Sequence, residues 1–239
     1  MAGLPDEKNI LDLFEQHLNK VLEYDPYQNF PGVKGRADFC DILAKDPAFA
    51  HFGLNDERYV IARIGGNLVT SLHRKIGDFY EEVFKYLLQT RFGLPDADLV
   101  YSVAVKIGKR KQKRSTDGVV WAQYLQGADL RLVPKEWKHT NGLAFEVRSC
   151  YQIGDSKRIQ ADYDMALALK ANGLTPIMLV FCNTSLRSPI ARLSKSWVLF
   201  QGMETFDFIH SLTGFDLWSF LEKHSESCKA KINQILSKP

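Results

Sequence analysis

The stretch Leu143-Ala144-Phe145-Glu146-Val147-Arg148-Ser149 decides the fold. It is β-prone, and successive side chains of a strand point to opposite faces. Glu146 and Arg148 therefore share one face, while Phe145 and Val147 share the other, where they are suited to packing on a helix. A carboxylate and a cation on one face of an otherwise apolar strand cost free energy unless they are paired or solvated. Two readings follow. The pair lies on a solvated sheet surface, or it belongs to a metal site. Mg²⁺ takes oxygen ligands, usually one or two carboxylates with water and phosphate.

A second acidic group is needed for the metal reading. Asp117 opens the run Ser115-Thr116-Asp117-Gly118-Val119-Val120-Trp121, which reads as a strand over 118–124. Asp129, in Gly127-Ala128-Asp129-Leu130-Arg131, competes for the role if residues 128–133 form the strand beside Glu146. The apolar run behind Asp117 favours Asp117, because it has the character of a buried strand.

The remaining elements follow outward. Residues 7–24 have Ile10, Phe14, Leu18 and Val21 at helical spacing. Residues 25–70 read as irregular, with Pro26, Pro31, Gly32, Gly35, Pro47 and Gly65-Gly66 as turn formers. From residue 71, the apolar stripe Ile76, Phe79, Tyr80, Val83, Phe84, Leu87 and Leu88 predicts a helix that stops at Gly93 and Pro95. Alternation over Val100–Ile107 predicts a strand, and Leu130–Val133 is strand-like. Residues 158–172 predict a helix capped by Gly173. Pro176–Phe181 predicts a strand buried on both faces. Trp197–Phe200 and helices around 203–211 and 215–236 complete the chain. The organisation is an extension over 1–70 followed by a domain over 71–239. The fold class is α/β, with a mixed central sheet flanked by helices in the order α-β-β-β-α-β.

Composition sets the class. The chain has 239 residues, 45% hydrophobic and 25% charged, as in ordinary globular proteins. No apolar run reaches the ~20 residues of a membrane span. The opening MAGLPDEKN has neither the basic nor the apolar region of a secretory signal. Cys40, Cys150, Cys182 and Cys228 are too widely spaced for a zinc clip or a disulfide framework, and Cys150 and Cys182 read as buried thiols. These features point to a cytoplasmic protein. The formal net charge is only +3, but Lys106, Lys109, Arg110, Lys111, Lys113 and Arg114 crowd together. Such a block is a solvated loop, a localisation signal or a phosphate-contacting patch. The six histidines lack zinc-ligand spacing, no Gly-x-Ser-x-Gly elbow is present, and Gly65-Gly66-Asn67 lacks the ending of a phosphate-binding loop.

Asp117 followed by Glu146-Val147-Arg148 resembles the signature of the PD-(D/E)xK nucleases, and the order of elements resembles that family's core. Gly77-Asp78-Phe79-Tyr80-Glu81-Glu82 resembles its helical acidic segment. Ser149-Cys150-Tyr151-Gln152 and Lys157-Arg158-Ile159-Gln160-Ala161-Asp162 resemble type II restriction enzymes at the same place. The resemblance covers roughly residues 71–200. It implies Asp117 and Glu146 as ligands of one or two Mg²⁺ ions, with Glu81 or Glu82 supporting the metal. It also implies cutting of double-stranded DNA by a homodimer.

Two positions depart from the pattern. Thr116 stands where the family has Pro. Arg148 stands where the family has Lys, and a guanidinium cannot act as a general base, though it can position water or stabilise charge on phosphate. Either Arg148 does that work, or Lys157 reaches in from the following helix, or the site is impaired. In this context Lys109, Arg110, Lys111, Lys113 and Arg114 are expected to contact flanking phosphates. Gln152, Ser156 and Arg158 are of the type that reads base edges. The rival expectations are a DNA-binding protein that does not cut, and a repair nuclease without base specificity.

Overall fold

Residues Gly142–Arg148 form the strand that the alternation predicts, and it is the antiparallel-to-parallel turning point of a mixed sheet. The computed structural model describes residues 3–107, 110–137, 140–151 and 156–237. In chain order the elements are α1 (Glu7–Leu22), α2 (Arg36–Lys45), α3 (Glu57–Phe92), β1 (Ser102–Ile107), β2 (Arg110–Ser115), β3 (Gly118–Trp121), β4 (Gly142–Arg148), α4 (Ser156–Ala171), β5 (Thr175–Val180), α5 (Arg187–Leu193), β6 (Val198–Gln201), α6 (Met203–Thr213), α7 (Leu217–Lys223) and α8 (Ser225–Leu236). The fold is α/β, with a four-stranded sheet in the order β3-β4-β5-β6 and a β1-β2 hairpin.

Two compact units divide the chain: Met1–Leu13 with Gly77–Lys223, and Phe14–Ile76 with His224–Pro239. The first holds all the strands. Strand β3 runs antiparallel to β4, whereas β4, β5 and β6 are parallel. Parallel neighbours need crossovers, and α4 and α5 supply them. Strand β5 is buried along its whole length, as its continuous apolar run predicts.

Both faces of this sheet are covered. Phe145 meets Phe84 of α3 edge-on, with ring centroids 5.0 Å apart, and lies 6.3 Å from Phe208 of α6. Such an aromatic pair adds about 0.5–1.5 kcal/mol beyond its area burial. On the opposite face Val119, Ala144, Met178 and Val180 form one core with Met165, Ala166 and Leu169 of α4. Glu146 and Arg148 belong to this second face. The solvated-surface reading of that pair is thereby excluded, since α4 lies over it and Glu146 is only 7% exposed.

The second unit has its own small core. Phe39 and Leu43 of α2 and Val60 of α3 are buried, with Tyr27, Phe30, Phe49 and Tyr59 packed around them. The Arg63 guanidinium sits 5.1 Å from the Phe39 ring centroid, a cation–π contact.

Several expectations are corrected. Residues 25–70 are irregular only in part: turns and bends over 25–35 and 46–56 flank α2, and α3 starts at Glu57 rather than near residue 71. Gly65 and Gly66 sit inside α3, each costing about 1 kcal/mol relative to Ala, which the flanking helical residues outweigh. The basic block is in part a strand, β2, not a loop. Residues 130–133 turn rather than extend. The 215–236 segment is two helices, α7 and α8, and α5 had no expectation. All four cysteines are free thiols, and Cys150 and Cys182 are half-buried rather than buried. Gly93 and Gly173 end their helices in the left-handed conformation, as their positions predict.

Candidate active site

Asp117 is built into the site by its backbone before its side chain acts. The Thr116 N–H donates to the Tyr101 carbonyl at 2.9 Å, and the Thr116 hydroxyl accepts the Tyr101 N–H at 3.0 Å. A proline at 116 would lack that donor. One residue later the chain changes partners: the Asp117 N–H donates to the Phe145 carbonyl at 2.9 Å. Asp117 thus lies where the chain passes from the β1 hairpin to β4. Gly118 pairs with Phe145 and Val119 with Ala144, so the register continues Asp117 to a position opposite Glu146.

Across this pair the charged groups converge. Asp117 Oδ2 accepts the Val147 N–H at 2.8 Å and faces Arg148 Nη1 at 3.4 Å. Arg148 Nη2 donates to Glu146 Oε1 and, at 3.1 Å, to Asp162 Oδ1 of α4. Arg148 Nη1 also donates to the Val147 carbonyl at 2.8 Å, while its buried Nε has no partner. The Arg148 side chain is 18% exposed, so three carboxylates share one guanidinium with little water.

The electrostatics follow from this crowding. Burial pushes the Asp117 carboxyl up to about 6; Arg148 works against the rise and Glu81 adds to it. Burial pushes Glu146 up to about 8, with Arg148 opposing and Asp117, Asp162 and Glu81 reinforcing. Burial disfavours the Arg148 charge, but Glu146, Asp162 and Asp117 outweigh it and hold the guanidinium well above its ordinary range. The site is short of positive charge.

That deficit bears on Mg²⁺. Among the described residues no three His, Cys, Asp or Glu side chains gather as a metal cluster. Two carboxylates suffice for Mg²⁺ when water and phosphate complete the shell. Asp117 and Glu146 are hard oxygen donors, each with one oxygen that accepts no hydrogen bond within the described structure. Their raised pKa values mark a place that a cation would stabilise. The donor set fits the ion.

Glu81 and Glu82 are half-buried on α3, and Glu81 pairs with Lys85. Gly77, one turn earlier, faces the end of β4, where a Cβ would lie 3.4 Å from Ser149 Oγ, at ordinary van der Waals contact. Lys157 and Arg158 are exposed at the start of α4, and no ion pair among the described residues joins Lys157 to Asp117, Glu146 or Asp162. Asp129 pairs with Arg131 at 2.7 Å on the surface, and β3, not residues 128–133, lies beside β4. Lys113 is exposed and Arg114 half-buried on β2. Lys109 and Gln152 lie outside the described residues, and Arg110, Lys111 and Ser156 are placed by backbone alone.

Asp162 and Tyr151 were not expected as site residues. The signal for Asp162 was present: it shares the helical stripe of Met165, Ala166 and Leu169, where an acid needs a partner.

Comparisons with protein-family models, curated proteins and solved structures find no match. Among the described residues no helix is long and apolar enough to cross a membrane.

Proposed function

We propose that this chain is a Mg²⁺-dependent endonuclease of the PD-(D/E)xK type that cuts double-stranded DNA at a specific sequence. The observation that carries the reading is the convergence of Asp117 and Glu146 across β3 and β4, next to a cation two residues along β4. Between α3 and α4 the chain has four strands rather than the three of the expected α-β-β-β-α-β order, with β1 and β2 paired in a sheet of their own; the β3, β4, α4, β5 portion follows that order and supports the reading.

Asp117 and Glu146 would hold the ion. When bound, Mg²⁺ supplies Lewis-acid stabilisation of the phosphate charge and activates water. Arg148 cannot take a proton from that water, because a guanidinium stays charged at any working pH. Its role is to stabilise the negative charge that builds on the phosphate in a site with little water. Asp117 is kept in place by the Val147 N–H, which leaves its other oxygen for the cation. Lys113 and Arg114 on β2 provide phosphate contacts that are independent of sequence. Two symmetric cuts call for two symmetric sites, which a C2 homodimer of this chain would bring.

A second reading is favoured by one observation: Arg148 already bridges both acidic groups. A guanidinium held there would let the fold bind DNA without cutting it.

Digestion of long duplex DNA with Mg²⁺ and with EDTA in parallel separates the readings. Discrete fragments that need Mg²⁺ are expected. A smear would instead indicate a nuclease without sequence specificity. A mobility shift without cutting, unaffected by EDTA, would establish the binding protein and overturn the proposal.

A further inference from the structure

Asp162 touches neither Asp117 nor Glu146 by hydrogen bond, yet it is the most enclosed acid of the group, with 3% of its side chain exposed. Each of its acceptors is engaged. Oδ1 takes Arg148 Nη2 at 3.1 Å, Oδ2 takes the Tyr151 hydroxyl at 2.7 Å, and its backbone carbonyl takes Trp197 Nε1 at 3.0 Å. Tyr151 is 1% exposed and is held in turn, its N–H donating to Ser185 Oγ at 3.0 Å. A buried carboxylate on an apolar helix face is retained against a desolvation cost, so its one charged contact, Arg148, is the point of interest.

The guanidinium is a rigid planar fork. Its Nη1 end is fixed by the Val147 carbonyl and Asp117, whereas its Nη2 end rests on Glu146 and Asp162. Glu146 is also a proposed ligand of the cation. Once its carboxylate turns to that task, Asp162 is the partner left to hold Nη2.

We propose that Asp162, clamped by Tyr151, is a positioning residue that fixes the Arg148 guanidinium beside the Asp117–Glu146 pair. Its effect on rate rests on the nuclease reading; its hold on Arg148 does not. Outer partners of this kind commonly cost ~10–100-fold in activity when removed.

The test is a double-mutant cycle read in two ways. Asp162→Asn keeps the shape and Tyr151→Phe removes only the clamp's hydroxyl, so the second variant serves if the first does not fold. In the wild-type background Asp162→Asn is expected to lower kcat by ~10–100-fold with KM unchanged, and Tyr151→Phe to lower it less. In an Arg148→Met background, assayed under single turnover, Asp162→Asn is expected to cause no further loss, because the group it positions is gone. Thermal unfolding without DNA or metal gives the second reading. Asp162→Asn is expected to lower Tm in the wild type and to raise it in Arg148→Met, where the acid has lost its counter-ion. Equal effects in both backgrounds, or a change in KM alone, would overturn the proposal. If the wild-type protein cuts no DNA, the nuclease reading falls on that result by itself. The unfolding cycle then still decides whether Asp162 holds Arg148: reversal of sign supports it, and additive shifts refute it.

Discussion

The Val147 N–H donates to Asp117 Oδ2 at 2.8 Å, so the strand that carries Glu146 and Arg148 also aims the opposing acid. Asp117 is thereby fixed without using its second oxygen. Asp117→Asn retains an acceptor for Val147 but loses the charge, as Glu146→Gln does on β4. Each is expected to reduce Mg²⁺-dependent cutting by at least ~10²–10³-fold, the scale of losing one transition-state electrostatic contact. Asp129→Ala is the control, because that acid sits on the surface paired with Arg131. Cutting assays on the three variants check this, and a loss in Asp129→Ala equal to that in Asp117→Asn would refute the assignment.

The metal-free protein is expected to lose stability as pH rises. Asp117 moves from an ordinary 3.8 to about 6, and Glu146 from 4.5 to about 8. Both carboxyls are raised in the folded chain, so the folded state holds protons that the unfolded state has released. Where the folded state binds more protons, stability falls with pH. The contribution is present in full below pH 3.8 for Asp117 and below pH 4.5 for Glu146, and it is lost as pH rises through about 6 and about 8. Thermal unfolding in EDTA across that window is expected to show a falling Tm, flattened in Glu146→Gln. Mg²⁺ is expected to raise Tm most at the alkaline end, since a ligand that binds only the folded state stabilises it. A Tm that stays level between about pH 5 and 8 would show that Arg148 keeps both acids ionised, since folded and unfolded chains would then bind equal numbers of protons.

How far the sequence reaches is clearest at β4. Its alternation separated Phe145 and Val147 from Glu146 and Arg148, and Phe145 does pack on α3. What covers the charged face was not legible, because that depends on α4 folding back over the sheet. A stripe of apolar residues marks a helix face but does not say which surface it meets. Gly65 and Gly66 misled for a different reason: local turn propensity was overridden by a helix 36 residues long. The basic block was legible as charge but not as structure. Cross-strand pairing of Val103 with Arg114 and Val105 with Gln112 gives β2 its strand, and such pairing has no local signature.

Arg148 is expected to be worth more to stability than any surface cation of this chain. Replacing it with Met leaves Asp117, Glu146 and Asp162 without their shared counter-ion. Breaking a buried pair in this way costs ~3–5 kcal/mol, much of it the uncompensated charge left behind. Arg148→Lys is expected to lose less, since an ammonium keeps the charge but cannot span the fork. Urea unfolding at about pH 9, above the value of about 8 to which burial raises Glu146, measures both. An Arg148→Met variant as stable as the wild type would show that Arg148 offsets no buried charge in this group.

Lys113 stands opposite Ala104 across the hairpin and is exposed, with no ion pair to another described residue. A surface lysine without a partner stabilises little by itself, so Lys113→Ala is expected to leave Tm within a degree or so of the wild type. If β2 contacts phosphate, the same change weakens DNA binding on every sequence alike. It also reduces the slope of log affinity against log salt by about 1, the counterion released at one contact. Arg114→Ala differs, since its side chain is half-buried opposite the buried Val103, and it is expected to lower stability as well as affinity. Affinity titrations in Ca²⁺ or EDTA over a range of salt concentrations, on two unrelated duplexes, measure both effects. An unchanged slope for Lys113→Ala would remove β2 from the DNA-contacting surface, and loss on one duplex only would make Lys113 a reader of bases instead.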